Sequence, residues 1–216
     1  MNKSFKLEDG NFSGEIRMRI GVIAIQGDVS EHVHAVDNAL SELGESSDIV
    51  EIKHSGIVPE CDALILPGGE STTLGRLLLK EGISEEIKQA ASAGIPIMGT
   101  CAGLILLAQR GDVQVAKTHQ HLLGLMDTKV NRNAFGRQRE SFETYMELPF
   151  LDSPYRAVFI RAPAIVDAGP DVEVLSKIDD KIVAARQSNI LAFAFHPELT
   201  DDLRIHRYFL NMIREY

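Results

Sequence analysis

The sequence predicts an α/β fold: three layers, with a mostly parallel central sheet, helices on both faces and antiparallel additions in the second half. Three observations predict it. Through the first half, apolar runs of strand length alternate with segments of helical period. Through the second half, short strand-like segments follow one another across brief turns such as Gly169-Pro170 and Asp179-Asp180. Between the halves, a strand runs without a linker into Gly99-Thr100-Cys101-Ala102-Gly103 and then a helix.

The elements follow in order. Residues 20–25 are continuously apolar, as suits a central parallel strand buried on both faces. Gln26-Gly27-Asp28 turns the chain. A helix over 29–43 aligns Val33, Val36, Leu40 and Leu43, and Gly44 can stop it. Residues 48–53 and 62–66 read as strands, the latter ended by Pro67-Gly68-Gly69. A helix from Ser71 sets Leu74, Leu77 and Leu78 on one face, and another spans 83–93. Residues 95–98 form a short strand, and 104–109 the helix after the cysteine turn. Val130 and segments 141–148, 157–160, 172–175, 182–185 and 191–195 are expected as antiparallel additions to the same sheet. Residues 201–215 close the chain as a helix capped by Thr200 or Asp201. Residues 1–18 are polar without clean periodicity and are expected to be a flexible extension. Residues 19–216 are expected to be one domain.

The formal net charge of −9 argues against a nucleic-acid or anionic-membrane partner, because phosphate surfaces need clustered Lys and Arg. No apolar run approaches the roughly 20 residues of a membrane span, and the N-terminus lacks an apolar signal core. The expected location is cytoplasmic. Two cysteines in a chain of 216 residues do not make a disulfide framework, so one of them is free to be a nucleophile.

Cys101 sits in the better place. Gly-x-Cys-x-Gly between a strand and a helix is the sulfur form of a nucleophile elbow. The turn admits only very small flanking side chains, hence Gly99 and Gly103. The helix N-terminus favours thiolate, and the N–H of Ala102 is placed to bind an oxyanion. Most free cysteines are merely small buried hydrophobes, and Cys61, ahead of a buried strand, reads that way. A nucleophilic thiolate needs a base, and the base needs an orienting group. His196 and Glu198, in Phe195-His196-Pro197-Glu198 after a late apolar strand, supply both. The remaining histidines make poor sites: His32 and His34, two apart on a helix, face different sides. No cluster at ligand spacing predicts a metal, and no cofactor is expected.

These residues resemble class I, triad-type glutamine amidotransferases, and among them the glutaminase subunits of pyridoxal 5′-phosphate synthases. The cysteine elbow and His-Pro-Glu are shared widely in the class. The narrower match rests on Gly68-Gly69-Glu70-Ser71-Thr72-Thr73, on Arg132-Asn133-Ala134-Phe135-Gly136-Arg137-Gln138 and on Phe159-Ile160-Arg161-Ala162-Pro163. The resemblance implies hydrolysis of L-glutamine by Cys101, His196 and Glu198. It implies a glutamine site lined by Gly69, Glu70, Ser71, Arg132, Ile160 and Arg161, and a partner-sensitive loop at Gln26 and Gly27 near the oxyanion hole. It also implies that ammonia passes to a pyridoxal 5′-phosphate synthase subunit. The chemistry agrees: arginines pair with an α-carboxylate, Glu70 with an ammonium, and a Gly-rich turn before a helix presents backbone donors. Other readings are a glutaminase serving a different synthase, a regulatory module that has lost catalysis, and a cysteine peptidase or deglycase on a similar sheet.

Overall fold

The computed structural model describes residues 18–136 and 140–215. Most of the leading extension and Arg137 and Gln138 therefore lie outside the described residues.

The first half alternates as expected: β1 (Arg19–Ile23), α1 (Val29–Leu43), β2 (Asp48–Ile52), β3 (Ala63–Leu66), α2 (Ser71–Lys80), α3 (Ile83–Ser92) and β4 (Ile97–Thr100). The elbow then opens α4 (Ala102–Leu107), followed by β5 (Ala108–Arg110) and α5 (Val113–Lys117). The second half holds β6 (Met126–Asn131), β7 (Ser141–Met146), β8 (Tyr155–Ile160), β9 (Ala164–Ala168), β10 (Glu173–Ile178), β11 (Lys181–Gln187) and β12 (Ile190–Phe193), and closes with α6 (Arg204–Glu215).

The main sheet has ten strands in the order β2-β1-β3-β4-β12-β11-β9-β6-β5, with β10 paired to β11. The block β2-β1-β3-β4-β12 is parallel. Strands β9, β10 and β11 bring antiparallel pairing. The chain leaves β1 toward one edge and β3 toward the other. Right-handed crossovers therefore put α1 and the pair α2–α3 on opposite faces. The same reversal makes a crevice at the carboxyl ends of β1 and β3. The loops 26–28 and 68–70 leave from that crevice. Strands β1, β3, β4 and β12 are almost wholly buried, as two covered faces require.

Four expectations are corrected. Segment 191–195 is not simply an antiparallel addition: β12 is antiparallel to β11 but parallel to β4, and its wholly buried run suits the last strand of the parallel block. Segments 141–148 and 157–160 do not join the main sheet: β7 and β8 form a separate two-stranded ribbon. They pair with each other, and their alternation leaves one face to pack on the core. β8 buries Tyr155, Ala157 and Phe159 while its other residues stay accessible, so it has only one face for the core. That face carries Phe142 stacked on Phe159 at 4.7 Å, with Phe195 behind at 5.5 Å from Phe159. The helix after the elbow ends at Leu107 rather than Gln109. All six of its residues are buried, and the chain leaves by pairing Ala108 with Met126. The closing helix starts at Arg204, with neither Thr200 nor Asp201 as its cap. Asp202 accepts from the Arg204 N–H, while Thr200 is engaged by the Tyr155 hydroxyl at 2.9 Å. Strand β9 and helix α5 had no sequence expectation. β9 is short and carries Asp167, and α5 is five residues capped by Asp112, too short for a period to show.

Candidate active site

The site is assembled by neighbouring strand ends. In the parallel ladder of β4 and β12, Thr100 faces Phe193, and the Cys101 N–H donates to the Phe193 carbonyl at 2.8 Å. The chain past β4 thus delivers Cys101, and the chain past β12 delivers His196, on the same side of the sheet. The His196 N–H donates to the Val158 carbonyl of β8 at 2.9 Å, so the ribbon fixes where that loop lies.

Cys101 has φ 49°, a left-handed conformation that few non-glycine residues adopt. Strain of this kind gathers at functional sites. The turn closes only because Gly103 has no side chain: a Cβ there would stand 2.1 Å from the Leu66 carbonyl oxygen of β3. The thiol faces the Ile160 carbonyl at 3.9 Å and lines the same cleft as His196.

His196 is buried, and its Nδ1 lies 2.6 Å from Glu198 Oε1, a short charge-assisted contact. Burial works against charge on the ring. The hydrogen bonds to Cys101 and Glu198 outweigh it and push the imidazole up to about 10. Burial likewise pushes the Glu198 carboxyl above its ordinary value, against the pull of His196. The arrangement is a thiol, an imidazole that prefers to be charged, and a carboxylate that orients it.

A cleft of about 580 Å³ opens over the thiol. Gly69, Glu70, Ser71, Cys101, Ala102, Arg132, Ile160, Arg161 and His196 all line it. Nine of the residues expected at the site therefore share one cavity. Glu198 is buried behind His196, in the 3-10 turn Pro197–Leu199. Gln26 and Gly27 support the floor of the cleft. The Gln26 side-chain oxygen Oε1 accepts the Glu70 N–H at 3.2 Å, and Gly27, at φ 112°, packs on Gly68 so closely that a Cβ would lie 1.8 Å from the Gly68 carbonyl oxygen.

Glu70 does more than its sequence position announces. Its carboxylate caps α2, accepting from the N–H groups of Thr72 at 3.0 Å and Thr73 at 2.7 Å. It also pairs with Arg132 Nη2 at 3.1 Å. Partial burial opposes the charge, but these backbone donors hold the carboxyl down at about 2. The Ser71 hydroxyl turns to the Gln120 side chain at 3.3 Å. Arg161 has φ 44° and follows the Ile160 carbonyl that faces the thiol.

Cys61 is buried, its thiol donating to the Ile57 carbonyl at 3.4 Å, and burial pushes it up to about 11. It has none of the surroundings of Cys101.

Three residues at the site escaped sequence reasoning. Asp28 lines the cleft with its Oδ2 3.5 Å from His196 Nδ1. Tyr155 sends its hydroxyl to Thr200 and to the Asp202 carbonyl at 3.2 Å, pinning the turn that carries Glu198. His32 corrects an expectation. It does lie on a different side from His34, but that side reaches the site: its Nε2 is 3.0 Å from the Thr100 hydroxyl and 3.4 Å from Glu198 Oε2. Only the fold brings α1 beneath the turn after β12. Ligand atoms of Asp28, His196 and Glu198 also converge within 4.8 Å. The 2.6 Å contact between His196 and Glu198 leaves no room for an ion between them, so the group is a hydrogen-bonded pair with a neighbouring acid.

Known proteins resemble this chain over most of its length. The model of the SNO glutamine amidotransferase family matches residues 22–215. A protein named pyridoxal 5′-phosphate synthase subunit PdxT from Methanococcoides burtonii is 71% identical over 196 residues, covering 91% of this chain and 99% of its own. One of the same name from Archaeoglobus fulgidus is 55% identical over 195 residues, covering 90% of this chain and 98% of its own. Among solved structures, one described as a glutamine amidotransferase superposes with a TM-score of 0.79 at 43% identity, covering 90% of this chain and 98% of that one. PurLQS from Thermotoga maritima shares the fold alone, with a TM-score of 0.60 at 17% identity over 93% of this chain and 98% of that one.

Proposed function

The chain belongs to the SNO glutamine amidotransferase family, and from that premise we propose that it hydrolyses L-glutamine to L-glutamate and ammonia as the glutaminase subunit of a pyridoxal 5′-phosphate synthase. The observation that carries the reading is Cys101 on a strained elbow, sharing one cleft with a His196 that Glu198 holds at 2.6 Å.

In the first half-reaction the Cys101 thiolate attacks the side-chain amide carbon, forming the S–C bond. Backbone N–H groups near Gly69 and Ala102 hold the oxyanion. The C–N bond then breaks, and His196 gives its proton to the departing ammonia. In the second half-reaction His196 takes a proton from water. The hydroxide attacks the thioester carbon, the C–S bond breaks, glutamate leaves, and the Cys101 thiolate and protonated His196 are restored. Glu198 keeps the imidazole oriented and stabilises its charge throughout.

Arg132 and Arg161 supply positive charge for the α-carboxylate, and Glu70 negative charge for the α-ammonium, all on the wall of one cleft. The catalytic unit in this reading is residues 19–216, with residues 1–18 as an extension. No helix of the described residues is long and apolar enough to cross a membrane. A catalytic thiol with both cysteines free favours the reducing cytoplasm as its location.

The test supplies amide-labelled glutamine with ribose 5-phosphate and glyceraldehyde 3-phosphate to the chain, with and without a pyridoxal 5′-phosphate synthase subunit. Synthase-stimulated glutamate release, with the label in pyridoxal 5′-phosphate, supports the reading. Glutamate release indifferent to that subunit assigns the ammonia to another synthase.

A further inference from the structure

We propose that His32 is a positioning residue of the glutaminase centre, holding the second oxygen of the Glu198 carboxylate so that the first stays on His196. The inference rests on the glutaminase reading above.

The two oxygens of Glu198 are held unequally. The side chain is wholly buried. One oxygen, Oε1, has the 2.6 Å contact with His196. The other, Oε2, has no hydrogen-bond partner among the described residues. An unpartnered buried carboxylate oxygen is costly, and a carboxylate held at one oxygen only is free to swing. His32 Nε2 stands 3.4 Å from Oε2 and 3.0 Å from the Thr100 hydroxyl. It lies on the buried face of α1, with Ala35, Val36 and Ala39 as its neighbours there. An apolar side chain would continue that face; a histidine puts a nitrogen against the carboxylate.

Chemistry selects the tautomer. If Nε2 were the unprotonated nitrogen, its lone pair would face a carboxylate oxygen, and an Nδ1–H would be buried with no acceptor. With the proton on Nε2, the N–H donates to the Thr100 hydroxyl oxygen at 3.0 Å and presents its positive end to Glu198 Oε2 3.4 Å away, and Nδ1 is left as an unpaired acceptor, the cheaper fault. Burial holds the ring well below its ordinary range, so it is neutral. A neutral donor suits this position, because it steadies the carboxylate without competing with His196 for its charge. The charged and titratable groups around this contact are His196 and Asp28 beside Glu198, and His206 of α6 beside His32. His206 packs edge-on at 6.2 Å and is itself neutral, held at about 4 by burial. It limits rotation of the His32 ring without adding charge.

The same contact joins three elements. Thr100 immediately precedes the nucleophile, Glu198 lies in the turn after β12, and His32 comes from α1. His32 thereby ties the position of the orienting carboxylate to the strand that delivers Cys101.

The test compares His32→Gln with His32→Met in the complex with the synthase subunit. Gln carries an N–H donor to about the place of Nε2; Met has similar length and no donor. We expect kcat for glutamine hydrolysis to fall about ten- to a hundredfold in Met, with KM within about threefold of wild type, and Gln to recover most of the loss. A second readout needs no turnover: the pH profile of iodoacetamide alkylation at Cys101, corrected with Cys101→Ala. Its midpoint should be higher in Met than in wild type, and not in Gln. Thermal melts establish that the variants are folded, and His32→Leu replaces Met if Met is not. Wild-type rates in both variants, or equal losses in Gln and in the donor-free variant on both readouts, overturn the proposal. A wild-type chain that releases no glutamate overturns the glutaminase reading instead, while the alkylation profiles still decide the role of His32.

Discussion

Thr100 and Phe193 face each other in the parallel ladder between β4 and β12, and this single register places Cys101 and His196 side by side. One strand is contributed by the middle of the sequence and the other by its last quarter. Each ends at the same edge of the sheet, the edge where the loops after β1 and β3 also part. The site is therefore a product of topology, and its parts fail in different ways when changed.

The pair His196–Glu198 predicts an alkaline limit. A histidine ordinarily titrates near 6.5, and this one is held up to about 10. A raised folded value means that its stabilising pair is fully present below pH about 6.5 and is lost as pH rises through about 10. Glutamine hydrolysis should fall on that alkaline side. Glu198→Gln should move the limb toward neutral and lower kcat by about a hundredfold or more. A pH–rate profile of both proteins checks it; an unmoved limb would mean that Glu198 does not hold the imidazole charge.

Gly103→Ala should disrupt the elbow. The new Cβ would press on the Leu66 carbonyl at 2.1 Å, and backbone cannot step aside as a flexible side chain does. A cost of about 1–3 kcal/mol or more is expected, with loss of glutamate release. A thermal melt beside the activity assay would show both.

Tyr155→Phe removes a buried hydroxyl from Thr200 and from the Asp202 carbonyl. We expect a loss of about 1 kcal/mol in denaturant unfolding and a lower kcat, because the turn carrying Glu198 loses its pin. Full activity with lowered stability would confine Tyr155 to a structural role.

Glu70→Gln should raise KM for glutamine more than it lowers kcat, since the charge facing the substrate ammonium is lost. The same change weakens the cap of α2 by about 0.5–1 kcal/mol. The carboxyl is held at about 2, so its stabilising effect is present above its ordinary value of 4.5 and fades as pH falls toward 2. Acid titration of the melting temperature should show the variant losing less than wild type over that range.

Much of this was legible in the residues. Apolar runs and helical period located the first-half elements, because each is fixed by burial on both faces or on one stripe. The elbow was legible because only glycine tolerates such contacts, and the nucleophile is named by its flanks. The ribbon β7–β8 was not. Alternation identifies a strand with one buried face, but says nothing about which sheet it joins. Asp28, Tyr155 and His32 were illegible for a related reason. Each acts through a partner distant in sequence, and a lone tyrosine or histidine on an element carries no local mark of what the fold will set against it. Glu70 was half legible. The resemblance marked it as a ligand for an ammonium, while its work as a cap depends on the turn that precedes it.

The most direct test of the central claim is the steady-state rate of glutamate release from glutamine by Cys101→Ala, measured in the synthase complex beside wild type. Loss of essentially all turnover, with wild-type folding and wild-type affinity for the synthase subunit, is the predicted result. Substantial turnover without the thiol would contradict the account, because no other group among the described residues of the cleft is placed to form the acyl intermediate that His196 and Glu198 are arranged to serve.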